Sequence, residues 1–545
     1  MSSFMANSSQ IRSAIWVLVL ILVGFLIYLP GLQIQRYGDD IQLILDSPPS
    51  NPLYFFFNQH PSNWYRPLEF NFEAITQKLF GLTTIPIHIA SIFSHIFLVY
   101  LVYSLTLCLG FKKNQAVLAA MFMGLSQVTA HPVFSNDTLS QVWSTLLGFL
   151  SIWFLCHRPT KTLTVPEPHK LSKFYNLLTN SRYISSYLLS LLAFALSLFS
   201  KEVGLAFLPI IFIFLFFYAT RQHTNLSDVA STKASEQTEG NYVSFHAMLS
   251  AKYFKETFIK IIPYVVIAVL YFIVRSLIAN MPPSFGSGRY QFHLGLNIIK
   301  NIFSLIFASL VPVSSVTVFV AIANSEFLKI GVIAGATILL TALVAWGIFR
   351  TEKRFPTYLL ACSSLLAFFP MAALNHVSEL HVYSALPFIA IIVGVGLGKL
   401  LEIKRRILIL TLIALLFTSH VYALETKLTL MKKNGERATS LVSQLRSYAL
   451  GVPPGAKLFF LNPQLKKTDA LKTPTSTLNP YVPVEYSVFL INGFNILESA
   501  DTIEQILGRH DIEIKIIESP DWANIKAGYH IISLDDYGQL YKINP

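Results

Sequence analysis

The feature that most constrains this chain is a repeat of apolar runs about 17–25 residues long, each enough to cross a ~30 Å hydrocarbon layer at 1.5 Å per residue. They fall near 85–109, 115–131, 138–156, 183–200, 203–219, 258–279, 327–349, 357–374, 382–401 and 407–424. An earlier run, Ile15 to Leu32, exceeds a signal h-region and lacks a small-x-small cleavage site, so it reads as a retained signal anchor. Charged residues make up only 13% of the chain, where a soluble domain carries about 25%. The expected fold is therefore a polytopic α-helical membrane body with the bilayer as its main solvent. Its net charge of +12 reads as positive-inside loops, not as a nucleic-acid surface. Cys108, Cys156 and Cys362 sit in or beside apolar runs without metal-ligand spacing, which predicts neither a disulfide framework nor a redox motif.

Five basic stretches set the orientation: Lys112-Lys113, Arg158 to Arg182, Arg221 to Lys255, Arg350 to Arg354, and Lys404-Arg405-Arg406. Placing all five in the cytoplasm puts the loops 33–84, 131–138, 280–296 and 375–381, the Ser200-Lys201-Glu202 turn and everything after 425 outside. Parity fails only at 297–322. That run is either re-entrant or broken at Val311-Pro312-Val313 into two legs, giving eleven or thirteen crossings in all.

Loop 33–84 has an acidic entry, Tyr37-Gly38-Asp39-Asp40, a turn at Pro48-Pro49 and an aromatic run, Tyr54-Phe55-Phe56-Phe57. It reads as an amphipathic lid at headgroup level. Residues 426–545 have the composition of a small soluble α+β domain outside the membrane. A helix is expected over 436–449, strands at Lys457 to Leu461 and around Ile512, Ile514 and Ile516, and a hairpin turn at Asp535-Asp536-Tyr537-Gly538. This domain carries no phosphate loop, dinucleotide fingerprint or metal motif.

Polar groups held at or near membrane depth are costly, so those that persist are candidates for function. Asp39-Asp40 is either a solvated acidic cap or a pair in which one carboxylate, its pKa raised by the other, takes a proton from an acceptor hydroxyl. In Trp64-Tyr65-Arg66-Pro67, Arg66 either pairs with Glu69 or Glu73 along a helix or offers its planar donors to phosphate. Lys201 either snorkels or neutralises a lipid phosphate with Glu202 orienting it. Arg275, at the outer end of its run, is a second phosphate candidate. In the stretch Asn375 to Tyr383, Glu379, His381 and Tyr383 suggest a hydrogen-bonded substrate or structural network more than a metal site, since the spacing is not H-E-x-x-H. His131 with Asp137 either caps its loop or touches substrate. All of these lie on one side of the expected topology, at one lipid–water boundary.

Asp39-Asp40, Tyr65-Arg66-Pro67-Leu68, Ala130-His131-Pro132 with Asn136-Asp137, and Leu198-Phe199-Ser200-Lys201-Glu202 occur in an order that resembles the membrane-embedded C-type (GT-C) glycosyltransferases using polyprenyl-phosphate sugars, especially the protein O-mannosyltransferase-like members. Glu379-Leu380-His381-Val382-Tyr383 is similar to their Glu-Arg-Tyr-Leu-Tyr stretch, with Leu380 and His381 departing from it. The likeness covers 1–425; the tetratricopeptide array of those members is replaced by the α+β domain. It implies an inverting transfer to a hydroxyl of a protein, lipid or glycan acceptor. Asp39 or Asp40 would be the base, and Arg66, Lys201 and Arg275 would surround the phosphate. Tyr65, His131, Asp137, Glu202, Glu379, His381 and Tyr383 would support substrate. Some members use a divalent metal, and Asp39 with Asp40 is the pair that would hold one, although hard cations want more than two oxygens. The short outer tail favours a bacterial inner membrane with the site on the periplasmic side. Competing readings are a transporter or lipid-linked glycan flippase, for which the sequence lacks repeats and midplane charges, a glycan polymerase or ligase, and a non-catalytic assembly protein.

Overall fold

The computed structural model describes residues 22, 24–36, 40, 43–45, 47–60, 64–157, 171–231, 251–279, 292–314, 317–318, 321–322, 324–374, 378–403, 405–461, 511–517, 529–534 and 540–543. The helices are α1 (Tyr54–Phe57), α2 (Pro67–Phe80), α3 (Ile85–Cys108), α4 (Lys113–Leu125), α5 (Ala130–Phe134), α6 (Leu139–Cys156), α7 (Leu171–Ser200), α8 (Phe207–Ser231), α9 (Ala251–Ile278), α10 (Leu296–Leu310), α11 (Phe327–Phe349), α12 (Arg354–Ala372), α13 (Leu386–Leu400) and α14 (Arg406–Leu450). Six helical stretches among the described residues are long and apolar enough to span a membrane: Ile85–Cys108, Asn136–Cys156, Tyr253–Ile278, Phe327–Phe349, Arg354–Ala372 and Arg406–Lys433. Four apolar helices are shorter: Ile184–Ser200, Glu202–Tyr218, Leu296–Leu310 and Leu386–Leu400. The chain is an integral membrane protein of the polytopic helical class.

The run expected to cross straight over 115–131 instead bends by 45° between Lys113–Leu125 and Gln127–Phe134. Ser126 is extended and ends α4, and the carbonyl of Gly124 accepts from the Tyr28 hydroxyl at 2.8 Å. Backbone groups released from a helix at this depth must find such partners. At 297–322 the helix stops at Leu310, with Val311 extended ahead of Pro312, as the steric demand of proline on its predecessor requires. The bundle core packs closely through small residues: a Cβ on Gly394 of α13 would lie 2.4 Å from the Ala119 nitrogen of α4.

In the outer loop, the aromatic run forms α1 and docks on α2. The Phe55 N–H donates to Asn71 Oδ1 at 3.0 Å, and the Phe55 and Phe70 rings lie 6.0 Å apart. Phe57 stays 73% exposed.

Helix α14 runs 45 residues without a break, ~68 Å at 1.5 Å per residue. It passes through position 425, where the composition turns soluble, and so joins the membrane body to the terminal domain. Beyond it lie β1 (Lys457–Leu461), β2 (Glu513–Ile517), β3 (Tyr529–Leu534) and β4 (Leu540–Ile543). The sheet order is β2-β1-β3-β4, with β1 parallel to β2 and β3 and β4 antiparallel to β3. The strands read from sequence are thus present. The hairpin turn at 535–538 falls outside the described residues.

Candidate functional site

Three cations, Arg66, Arg275 and Lys201, converge around Glu202. Arg66 stands at the entry to α2, which Pro67 opens with its preset φ. Its guanidinium lies 4.8 Å from the Trp64 ring centroid and 3.8 Å from Glu69 Oε2. The plainer sequence reading, an Arg66–Glu69 pair, is therefore present. Arg275, in the last turn of α9, sits 3.9 Å from Glu202 Oε2. Glu202 lies beside Arg275, and its charge and that of Lys201 also act on each other.

Lys201 is an extended residue between α7 and a 3-10 turn, Glu202–Ala206. The tight return depends on Gly204: a Cβ there would fall 2.6 Å from Ser197 Oγ and 2.8 Å from the Ser197 carbonyl carbon. The turn buries Lys201 to 9% exposure. Its ammonium forms no hydrogen bond and no ion pair among the described residues. Burial and the nearby Arg66 charge push its pKa down to about 8. Tyr65, Tyr271 and Phe199 wall the cluster, with ring centroids 5.7–6.4 Å apart, and Tyr65 is fixed by its hydroxyl donating to the Phe56 carbonyl at 3.2 Å.

The carboxylates form the adjoining part. Asp40 is fully buried. Asn136 Nδ2 donates to its Oδ2 at 2.7 Å, and the Asp137 N–H donates to its Oδ1 at 3.0 Å. Ser135 Oγ lies 3.2 Å from Asp40 Oδ1 but 2.6 Å from Asp137 Oδ1, so its single proton goes to Asp137. Burial and then the Asp137 charge raise the Asp40 pKa well above the usual carboxylate range, against the pull of Asn136 and Arg36. Arg36 braces this corner, 3.2 Å from Glu73 Oε2 and 3.4 Å from the Asp40 carbonyl. Asp137 is half-buried and near enough to Lys201 and His131 for its charge to act on both. It therefore links the two parts. Asp39 lies outside the described residues.

The 378–383 segment is tied to the last helix. Glu379, fully buried, pairs with Lys427 of α14, which also donates to the Gln127 carbonyl at 3.2 Å. His381 Nδ1 accepts from the Ser378 N–H at 3.1 Å, closing its own turn. The Tyr383 hydroxyl meets His95 Nδ1 at 2.9 Å, and His95 Nε2 meets the Tyr28 hydroxyl at 3.1 Å. His131 sits within reach of the Glu379 and Lys427 charges.

Among the described residues no three His, Cys, Asp or Glu side chains converge as a metal site. At Asp40 the Asn136 amide and the Asp137 backbone N–H each occupy one position, on Oδ2 and Oδ1 respectively. Three members of the site escaped the sequence: Arg36, Lys427 and Tyr271. Lys427 carried a usable signal, a lysine just beyond an apolar run.

No family model and no curated protein matches the sequence. Solved structures do. ArnT from Cupriavidus metallidurans in the apo state superposes with a TM-score of 0.50 at 10% identity, over 96% of this chain and 94% of that one. ArnT bound to undecaprenyl phosphate overlaps more loosely, at a TM-score of 0.44 and 11% identity over 96% and 93% of the chains. So does the oligosaccharyltransferase AglB from Archaeoglobus fulgidus, in complex with an inhibitory peptide and a dolichol-phosphate, at 0.40 and 12% over 95% and 69%. The first of these likenesses assigns a fold: a polytopic helical membrane body of GT-C type.

Proposed function

We propose that this protein is a membrane glycosyltransferase that moves a sugar from a polyprenyl-phosphate donor to an acceptor hydroxyl at the outer face of a bacterial inner membrane. The observation that carries the reading is Lys201, nine-tenths buried with no ion pair within 4 Å among the described residues, in one cluster with Arg66 and Arg275 around Glu202. Three buried or half-buried cations in one cluster offer donors and charge to an anion, and a phosphate matches the planar and point-charge donors they present. The aromatic wall of Tyr65, Tyr271 and Phe199 suits the first isoprene units or a sugar face.

In this reading the acceptor oxygen attacks the anomeric carbon as the bond to the phosphate oxygen breaks, which inverts the centre. The hydroxyl proton passes to a carboxylate, and the phosphate leaves with its added charge held by Arg66, Lys201 and Arg275. Asp40, with both oxygens engaged, serves as the strut that holds the 135–137 turn. In this reading the base is its sequence neighbour Asp39, and Asp137 and His131 support substrate. Glu379, His381 and Tyr383 hold the mouth of α13 in place. No step here runs through a metal.

The test is transfer of label from a panel of polyprenyl-phosphate sugars to membrane extracts by the purified protein in nanodiscs. Label appearing in a product supports the reading. Label that merely changes leaflet, with no product, would move the assignment to a lipid-linked glycan flippase.

A further inference from the structure

Glu69 sits inside the cationic cluster, in the first turn of α2, and is fully buried. Its two oxygens have different surroundings. Oε1 accepts the backbone N–H of Ser140, the second residue of α6, at 2.7 Å. Oε2 has no hydrogen-bond partner and points toward Arg66, 3.8 Å from Nη1. The charged groups that act on it are Arg66, Glu73 one turn further along α2, and Lys201. Helices α1 and α6 and the described side chains of α7, 184–200, which also pack on α2, bring no charged side chain. Of the α3 histidines, His88 meets the Ile34 carbonyl at 2.7 Å and His95 the Tyr28 and Tyr383 hydroxyls.

An ionised carboxylate buried this deeply would need partners on both oxygens. Glu69 has a hydrogen bond on Oε1 alone, with the Arg66 guanidinium standing off Oε2 at 3.8 Å, the pattern of a carboxylic acid whose carbonyl oxygen is satisfied and whose hydroxyl awaits an acceptor. We infer that Glu69 is a further ligand of the donor phosphate, acting as a neutral acid whose Oε2–H donates to a phosphate oxygen alongside Lys201 and Arg66. Burial agrees with this, lifting the carboxyl to about 8 against the pull of Arg66 and the Ser140 N–H. The inference rests on the phosphate reading of the cluster. It adds that binding takes up protons at alkaline pH, because an anion favours both the acid form of Glu69 and the ammonium form of Lys201.

The experiment is calorimetric titration of the full-length protein in nanodiscs with undecaprenyl phosphate at pH 7 and pH 9, in buffers of unequal ionisation heat. The lipid's second ionisation, near ~6 for a phosphate monoester, is complete at pH 9 and nearly so at pH 7. Each group with a free pKa of about 8 costs about tenfold in affinity over this interval. Wild type should therefore weaken ~100-fold, and Glu69→Gln only ~10-fold with about one fewer proton taken up at pH 9. At pH 7 Glu69→Gln should match wild type within about threefold, since its amide keeps both the acceptor for Ser140 and a donor for phosphate, whereas Glu69→Met should lose about tenfold. An unchanged slope and proton count in Glu69→Gln would overturn the inference while leaving the phosphate site standing. A tenfold gain in affinity for Glu69→Gln at pH 7 would overturn it too, marking the native group as ionised. Failure of folded wild type to bind at either pH would remove the phosphate reading itself.

Discussion

The pair Glu379–Lys427 decides whether the 378–383 segment holds sugar or holds the bundle. Both side chains are almost wholly buried, at 0% and 2% exposure, and they join the mouth of α13 to the middle of α14. Removing one partner strands the other as an uncompensated buried charge, at a cost of about 3–5 kcal/mol. Lys427→Met should therefore destabilise the protein by about that amount. Glu379→Gln with Lys427→Met should recover most of it, because two neutral groups of similar volume cost little once neither is charged. The assay is a double-mutant cycle from equilibrium denaturation in mixed micelles, followed by tryptophan fluorescence. Lys427 also donates to the Gln127 carbonyl, so a residue of about 1 kcal/mol should persist in the double variant. Transfer per folded molecule should change less than stability does. The reasoning fails if Lys427→Met is as stable as wild type, or if the double variant is no better than the single.

Lys201→Met should weaken undecaprenyl phosphate binding about 10- to 150-fold, the worth of one buried charge-assisted bond of about 1.5–3 kcal/mol, with Lys201→Arg losing less; a binding titration at pH 7 reads both. Gly204→Ala should shift the Lys201 turn, because its Cβ would meet Ser197 at 2.6 Å, and should lower binding in the same titration while the helical circular dichroism signal stays intact. Burial lifts the Glu73 carboxyl from its ordinary 4.5 to about 7. A folded-state pKa above the unfolded one gives a contribution that is full below about 4.5 and lost as pH rises through about 7. Stability should therefore fall across that interval, and Glu73→Gln should flatten the fall in thermal melts run at stepped pH.

The apolar runs made the membrane body legible because each spanning helix must carry its own backbone hydrogen bonds in lipid. The stop before Pro312 and the strand Lys457–Leu461 were legible for similarly local reasons. The bend at Ser126 was not, since it depends on Tyr28, nearly a hundred residues earlier, capturing the Gly124 carbonyl. The site divides in the same way. The order of Asp40, Arg66, Asp137 and Lys201 along the chain suggested one outer-face cluster, and the fold brings those four together. Pairings across long separations stayed hidden: Arg36 with Glu73, Glu379 with Lys427, and Asp40 with the 135–137 turn. Each is set by how helices pack, which no residue spacing encodes. Glu69 is a further case. Its sequence neighbour Arg66 suggests an ordinary ion pair, and only burial with a one-sided hydrogen bond separates an acid from a carboxylate.

The most direct test of the central claim is single-turnover transfer by wild type and Asp39→Asn from the same preparation, using a polyprenyl-phosphate sugar that wild type accepts. Loss of a general base predicts a rate lower by about 10²–10⁴-fold with undecaprenyl phosphate binding unchanged. Turnover by Asp39→Asn at the wild-type rate would contradict the assignment of the base, and the absence of transfer by folded wild type from every donor would contradict the assignment of a glycosyltransferase.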